Sequence, residues 1–398
     1  MSKLNELIHK LCPDGVEYRS LGELGKFYGG LSGKSKDDFT DGNAKFITYK
    51  NVYSNPALQI DIEDRVKIAD GEKQRTLKYG DVIFTGSSET PDECGISSVV
   101  TEKTEEKLYL NSFCFFFRFD DLKIIMPDFA KHLFRSSNLR YQICKTASGV
   151  TRFNVSKKLM ENVIIPLPPL EVQSEIVRIL DNFTELTAEL TAELTARKVQ
   201  YIHYRRDLIE NATDKQAFSL GELATIKTGS KPDMILETPT AYEYINAGTT
   251  NSGYVASFNC GGDTVTTPSR GQGGIGFVGY QFNPFWLGPL CYRIQAKDSK
   301  KVLNRYLYYY LSCFNEKILA FKKEGGTPAV NASDLVGITI ELPSIDEQKR
   351  IIAILDRFDS ICNDLSAGLP AEIEARQKQY EYYRDKLLTF EECKENVG

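Results

Sequence analysis

The chain has 398 residues, 41% of them hydrophobic and 26% charged, with a formal net charge of −5. That balance suits a soluble protein of roughly two to three domains and lacks the basic excess needed to neutralise phosphates unaided. Nine cysteines, at positions 12, 94, 114, 144, 260, 291, 313, 362 and 393, form no CxxC pair and the three histidines stand far apart, which excludes a zinc cluster and predicts reduced thiols.

Residues 1–15 read as a short helix and lead-in. Met1 to Lys10 has no apolar stretch before a small-residue cleavage site, and no apolar run in the chain is long enough for a membrane span. A cytoplasmic protein without a membrane partner is expected.

Residues 16–155 form the first predicted globule, with 20 basic and 20 acidic residues. Lys45 to Tyr53, Gly80 to Gly86 and Leu108 to Phe119 are aromatic and β-branched and read as strands and loops. A helical stretch follows around Pro127 to Tyr141, then the polar turn "TASGVTRFN" at Thr146 to Asn154. Gly29 to Ser35 falls short of a P-loop because Tyr28 stands where glycine is required, so it reads as a loop offering Lys34 and Lys36 to phosphates. Pro91, Asp92, Glu105 and Lys107 mimic a metal-nuclease pattern built from common residues over a long span, and are set aside.

Residues 156–215 read as a helical spacer. Pro166, Pro168 and Pro169 lead into it, and from Gln173 the residues Ile176, Leu180, Phe183, Leu186, Leu190, Leu194, Tyr201, Tyr204 and Leu208 recur mostly at three- and four-residue steps, one helix face. Its middle holds a tandem tetrapeptide, TAEL at Thr187 to Leu190 and again at Thr191 to Leu194. Each unit would add about 6 Å of rise and about 40° of rotation beyond a full turn.

Residues 216–332 form the second globule, with 11 basic and 8 acidic residues. Gly273 to Tyr280 and Leu290 to Ile294 read as strands and loops, Leu303 to Lys322 as helical, and "KEGGTPAVN" at Lys323 to Asn331 as a polar turn. Gly271, Gly273 and Gly276 spell GxGxxG, but neither the strand before nor the helix after that a dinucleotide site needs is predicted. Asn283 to Trp286 is similar to the NPPY/F box of adenine methyltransferases but lacks its second proline. Residues 333–398 are a second helical region, in which Gln348, Ile351, Leu355 and Phe358 continue the apolar face; a break is expected at Gly368 and Pro370, with resumption through Tyr380 and Tyr383. The acidic surplus lies in the two helical regions, 8 basic against 10 acidic in 156–215 and 8 against 14 in 333–398.

The chain repeats itself. SLGEL at Ser20 to Leu24 returns at Ser219 to Leu223, "PLPPLEVQSEIVRILDNF" at Pro166 is answered by "ELPSIDEQKRIIAILDRF" at Glu341, and "QYIHYRRDLI" at Gln200 by "QYEYYRDKLL" at Gln379. The predicted fold class is therefore α+β: two mixed α/β globules separated by two long helical regions, expected to pair antiparallel with the globules at opposite ends. Beyond the repeated framework the globules do not align. A pseudo-twofold protein suits a two-part target, and bipartite DNA is the commonest.

"CPDGVEYRSLGEL", "LEVQSEIVRILDNF" with the TAEL tandem, and "DEQKRIIAILDRF" followed by "GLPAEIEARQKQYEYYRDKLL" together resemble the specificity subunit of Type I restriction-modification enzymes, over essentially the whole chain. The tandem points to the subgroup in which it sets the spacer. The resemblance implies a non-catalytic subunit with two target recognition domains, each reading one half of a bipartite asymmetric double-stranded DNA site. It implies conserved helices that set the spacer and dock two modification subunits, which hold S-adenosylmethionine and methylate adenine, while restriction subunits use ATP and magnesium. No cofactor or metal is expected on this chain. DNA contacts are expected at Lys34, Lys36, Arg75, Ser87 and Arg152 in the first reader and at Lys231, Ser269, Arg270, Gln272, Lys322 and Lys323 in the second. Spacer and partner roles are expected on the two helical faces named above. The alternatives are a stand-alone helical scaffold, a DNA-binding protein outside restriction-modification, and an enzyme using the set-aside motifs.

Overall fold

Each SLGEL motif builds the same corner. Strands Glu17–Ser20 and Gln216–Ser219 end in serines that cap the one-turn helices Leu21–Leu24 and Leu220–Leu223. The Ser20 backbone N–H and hydroxyl donate to Glu23 at 2.9 and 2.8 Å, and those of Ser219 donate to Glu222 at 2.7 and 2.8 Å. These bonds hold both carboxyls below the ordinary carboxylate range. The two leucines of each motif are buried. A Cβ on Gly221 would come within 2.3 Å of Val336 Cγ1, so a larger residue there would have to displace that side chain.

The structure, a computed structural model, describes residues 3–239, 241–271, 273–323, 328–363 and 368–393. It divides into two compact units, one of Met1–Glu189 with Ile373–Gly398, the other of Leu190–Glu372.

In the first unit an antiparallel four-stranded sheet runs in the order Gly25–Gly29, Cys114–Phe119, Val82–Thr85, Ser97–Val99. Beside it, Ala44–Ile47 pairs antiparallel with Arg65–Val66 and parallel with Tyr109–Leu110. A third small sheet joins Ala147–Ser148, Phe153–Val155 and Ser87–Ser88. The core is aromatic: Phe84 lies 5.4 Å from Phe115 and 5.5 Å from Phe134 between ring centroids.

The second unit repeats this plan in its two larger sheets. Ala224–Thr228, Cys291–Ala296, Thr264–Pro268 and Gly279–Gln281 form the four-stranded sheet in the same order and sense. Tyr242–Ile245 pairs antiparallel with Tyr254–Val255 and parallel with Trp286–Leu287. Bridges from Arg270 and Lys323 to Ala329 stand where the third sheet stands in the first unit. The two globules that would not align in sequence therefore share one scaffold.

Several expected elements differ. Tyr49–Ser54 is a helix, capped by Thr48, which accepts from Asn51 N–H; the expected strand stops at Ile47. Pro127 to Tyr141 divides into helices Pro127–Leu133 and Ser137–Cys144, and Leu303 to Lys322 into Asn304–Cys313 and Glu316–Leu319. Gly273 to Tyr280 is mostly turn, becoming strand at Gly279.

One continuous helix runs from Leu170 to Glu210. Helices Ile345–Asn363 and Leu369–Leu387 follow later, the second carrying Pro370 in its first turn, where a missing N–H costs nothing. Phe183 stacks on Tyr383 at 5.4 Å in the first unit; Tyr201 and Tyr204 lie 6.4 and 5.9 Å from Phe358 in the second. Each repeat is locked by a fully buried glutamine. Gln173 donates to the carbonyls of Ile124 and Pro168 at 2.8 and 2.7 Å and accepts from Met126 N–H at 2.8 Å. Gln348 makes the matching three bonds to Lys301, Pro343 and Leu303, each 3.0 Å.

Next to the first clamp, buried His132 bridges Asp181 Oδ1 at 2.8 Å and the Tyr380 hydroxyl at 2.9 Å, with Lys131 2.9 Å from Asp181 and 3.3 Å from Asp128. Burial pushes His132 below its ordinary value of 6.5, and Asp181 opposes only part of that shift. The unfolded chain then binds this proton more readily than the folded one, so the contribution is fully present above the unfolded value and is lost as pH falls below it through the depressed folded value. The thermal midpoint should drop between about pH 7 and about pH 5.5, and His132→Gln should flatten that drop; an unchanged slope would remove His132 as the cause. In the second repeat the Tyr309 hydroxyl donates to Asp356 instead, with no histidine in the pairing.

Candidate nucleic-acid interface

In the first unit the expected residues Ser87 and Arg152 meet. Arg152, on the turn between strands Ala147–Ser148 and Phe153–Val155, donates through Nε and Nη2 to Ser87 Oγ at 3.1 and 2.9 Å, and its guanidinium lies 6.0 Å from the Phe113 ring centroid. Ser87 is only 8% exposed, and its carbonyl accepts from the Tyr49 hydroxyl at 3.0 Å. Ser87 therefore positions Arg152 and has little surface for a base of its own. Arg152 itself is exposed on a cleft of about 690 Å³ lined by Tyr49, Tyr53, Phe113 and Glu93.

Glu93 escaped the sequence reading. Tyr53 and Ser88 hydroxyls donate to its two carboxylate oxygens at 2.9 and 3.1 Å, and these bonds hold its carboxyl below the usual range. Its signal would have been an acidic residue next to serines and tyrosines; the tyrosine that matters lies 40 positions away.

Lys34, expected to be free for phosphate, is occupied. Its ammonium lies 2.6 Å from both Glu72 Oε2 and the Lys67 carbonyl, and its side chain is 9% exposed. Lys34, with Gln74 and the Ala69 N–H, draws the Glu72 carboxyl down to about 2. Lys36 is exposed in the short turn Lys36–Phe39, and Arg75 is exposed with its guanidinium 5.1 Å from the Tyr28 ring.

In the second unit Arg270 stands at the place of Ser87, exposed and bridged to Ala329. Ser269 is buried; its N–H donates to Leu290 and its carbonyl accepts from Val330, which leaves it little surface of its own. Lys323 bridges Ala329 and carries its ammonium 3.4 Å from Asp334, while Lys322 and Lys231 are exposed. Gln272 lies outside the described residues, as does 324–327 of the polar turn. A smaller cleft of about 260 Å³, lined by Thr249, Thr250, Asn251, Phe277 and Gln281, faces this unit's sheet.

Gly271, Gly273 and Gly276 of the GxGxxG string have φ of 124°, 85° and 88°, the left-handed region that glycine tolerates, in turns. No group of three metal-ligating side chains is found among the described residues. Nor is any described helix long and apolar enough to cross a membrane.

The spacer residues are mostly spoken for within the chain. Gln173, Ile176, Leu180, Gln348, Ile351 and Leu355 are fully buried in their own units, and Phe183, Tyr201, Phe358, Tyr380 and Tyr383 make the ring and hydrogen-bond contacts described. Leu190 and Leu194 are half-buried and Leu186 is exposed. Tyr204 is also exposed, and further outward still are Val199 at 65%, Ile202 at 60% and Tyr382 at 62% exposure.

Comparison with known proteins agrees with this geometry. The family model described as the Type I restriction modification DNA specificity domain matches residues 13–197 and again 213–375. A putative type I restriction enzyme specificity subunit of Haemophilus influenzae is 32% identical over 61% of this chain and 68% of its own length. The EcoR124I/EcoR124II specificity subunit of Escherichia coli is 34% identical over 59% of this chain and 65% of its own. Among solved structures, the fold is shared with the S subunit of a type I restriction-modification system from M. genitalium, at TM-score 0.55 and 16% identity, covering 94% of this chain and 96% of that one. It is shared too with a chain solved in work on assembly and conformational transition of the type I R-M system, at TM-score 0.64 and 19% identity, covering 94% and 98%. With the family model matched once in each repeat and the duplicated scaffold beneath it, the chain belongs to the family of Type I restriction-modification specificity subunits, whose role is DNA specificity.

Proposed function

We propose that each unit reads one half of a bipartite, asymmetric double-stranded DNA site, and that the helices set the gap between the halves and dock two modification subunits. The observation that carries this reading is one scaffold used twice with different side chains at the equivalent place, Ser87 supporting Arg152 in one unit and Arg270 with Lys323 in the other. A shared frame with divergent contact residues is what two dissimilar half-sites require. The charge balance fits as well: the readers are neutral or mildly basic and the helical regions acidic, so partners supply the phosphate neutralisation. In this reading the modification subunits carry S-adenosylmethionine and methylate adenine, the restriction subunits use ATP and magnesium, and this chain contributes recognition.

Mapping methyladenine across the host genome with and without the gene tests it. Deletion should abolish methylation at one bipartite motif, and a pull-down should retrieve an adenine methyltransferase. Arg270→Ala should cost roughly 1 to 3 kcal/mol at the affected base pair and relax one position of one half-site, leaving the other half intact. Methylation unchanged by deletion overturns the reading.

A further inference from the structure

We propose that Glu93 is a base-reading residue of the first reader, and that with Arg152 it selects a C·G pair: the carboxylate accepts from the cytosine N4 amine while the guanidinium donates to guanine O6 and N7. This rests on the DNA-reading function proposed above. A carboxylate on a surface that meets phosphates is repelled by them unless it faces an exocyclic amine, and in the major groove a C·G pair offers that amine beside the two acceptors an arginine takes.

The cleft is prepared for both groups. Glu93 and Arg152 line the same cleft with Tyr49, Tyr53 and Phe113. Among the described residues no ion pair joins Glu93 to Arg152, and both charges line the cleft that a ligand would enter. Glu93 accepts the Tyr53 and Ser88 hydroxyls, one on each carboxylate oxygen, and Thr90 bonds it as well; three fixed partners hold its plane, and its four acceptor positions leave room for one further donor. Arg152 is tethered through Nε and one N–H of Nη2 to Ser87, and its remaining N–H groups are free to fork onto a base edge. Preorganised donor and acceptor from separate elements are what base readout needs, because a loose side chain discriminates poorly.

The test uses the full chain with its modification subunit, reading the methylome of cells carrying wild type, Glu93→Gln, Tyr53→Phe and Arg152→Lys. Glu93→Gln keeps the shape but replaces one acceptor oxygen with a donor. It should lower methylation of the wild-type site by about 10- to 100-fold and relax the requirement for cytosine at one position, with the second half-site unchanged. Tyr53→Phe should give a smaller loss at that same position, and Arg152→Lys should relax the guanine of the same pair. A Glu93→Gln methylome identical to wild type, or a loss spread evenly over all positions, overturns the proposal while leaving the DNA-reading function standing; a wild-type methylome indifferent to the gene removes that function itself. Because Glu93 is exposed, the variant should melt with wild type, and a lowered midpoint would assign it a structural role instead.

Discussion

Inserting a third TAEL unit between Leu194 and Thr195 should leave both half-site sequences intact and lengthen the gap between them by one or two base pairs, since about 6 Å of added helix is set against about 3.4 Å per base step. The helix Leu170–Glu210 passes through both existing units without a break. Thr187 donates to the Phe183 carbonyl at 2.8 Å and Thr195 to that of Thr191 at 2.9 Å, four residues back along the helix in each case, so a further unit can continue the same pattern. The insertion falls where side chains 191–193 and 195–199 are exposed and no core side chain is displaced. Rotation by about 40° accompanies the added rise, so part of the change is taken up in phase around the duplex. The readout is the methylome of cells carrying the insertion. Half-sites at the original spacing would show that the helix does not set it.

The largest stability effect is expected at the glutamine clamps. Gln173→Leu keeps the volume but strands the Met126 N–H and the carbonyls of Ile124 and Pro168 at a site with no exposure. Each buried group left unpaired costs about 1 to 3 kcal/mol, so a loss of about 4 kcal/mol is expected, a large part of an ordinary domain's stability. Gln348→Leu should do the same to the second repeat through Leu303, Lys301 and Pro343. Urea unfolding followed by a probe in each unit checks both variants, and a loss below about 1 kcal/mol would mean that water or a shifted neighbour satisfies the stranded groups.

The amino-acid sequence by itself determined the duplicated frame, and with it the family. Its signals are local: a serine and a glutamate three residues on make a cap, prolines lead into a helix, and apolar side chains three and four apart make one face, so SLGEL, the proline-rich lead-ins and the long helix are legible within a few turns of chain. The fold's second half of information was not local. Strands as short as Arg65–Val66 and Tyr254–Val255 carry no periodicity, and their places come from partners tens of residues away, which is why the common strand order of the two readers stayed hidden. Long-range pairing also decided which polar residues are spent and which are free. Lys34 is taken by Glu72 from another loop, Ser87 is turned into a support for Arg152, and Glu93 is fixed by Tyr53 across 40 positions. A charge becomes a contact residue only once the folded chain has settled what else can reach it, and that is a property of tertiary distances, which composition and spacing do not contain.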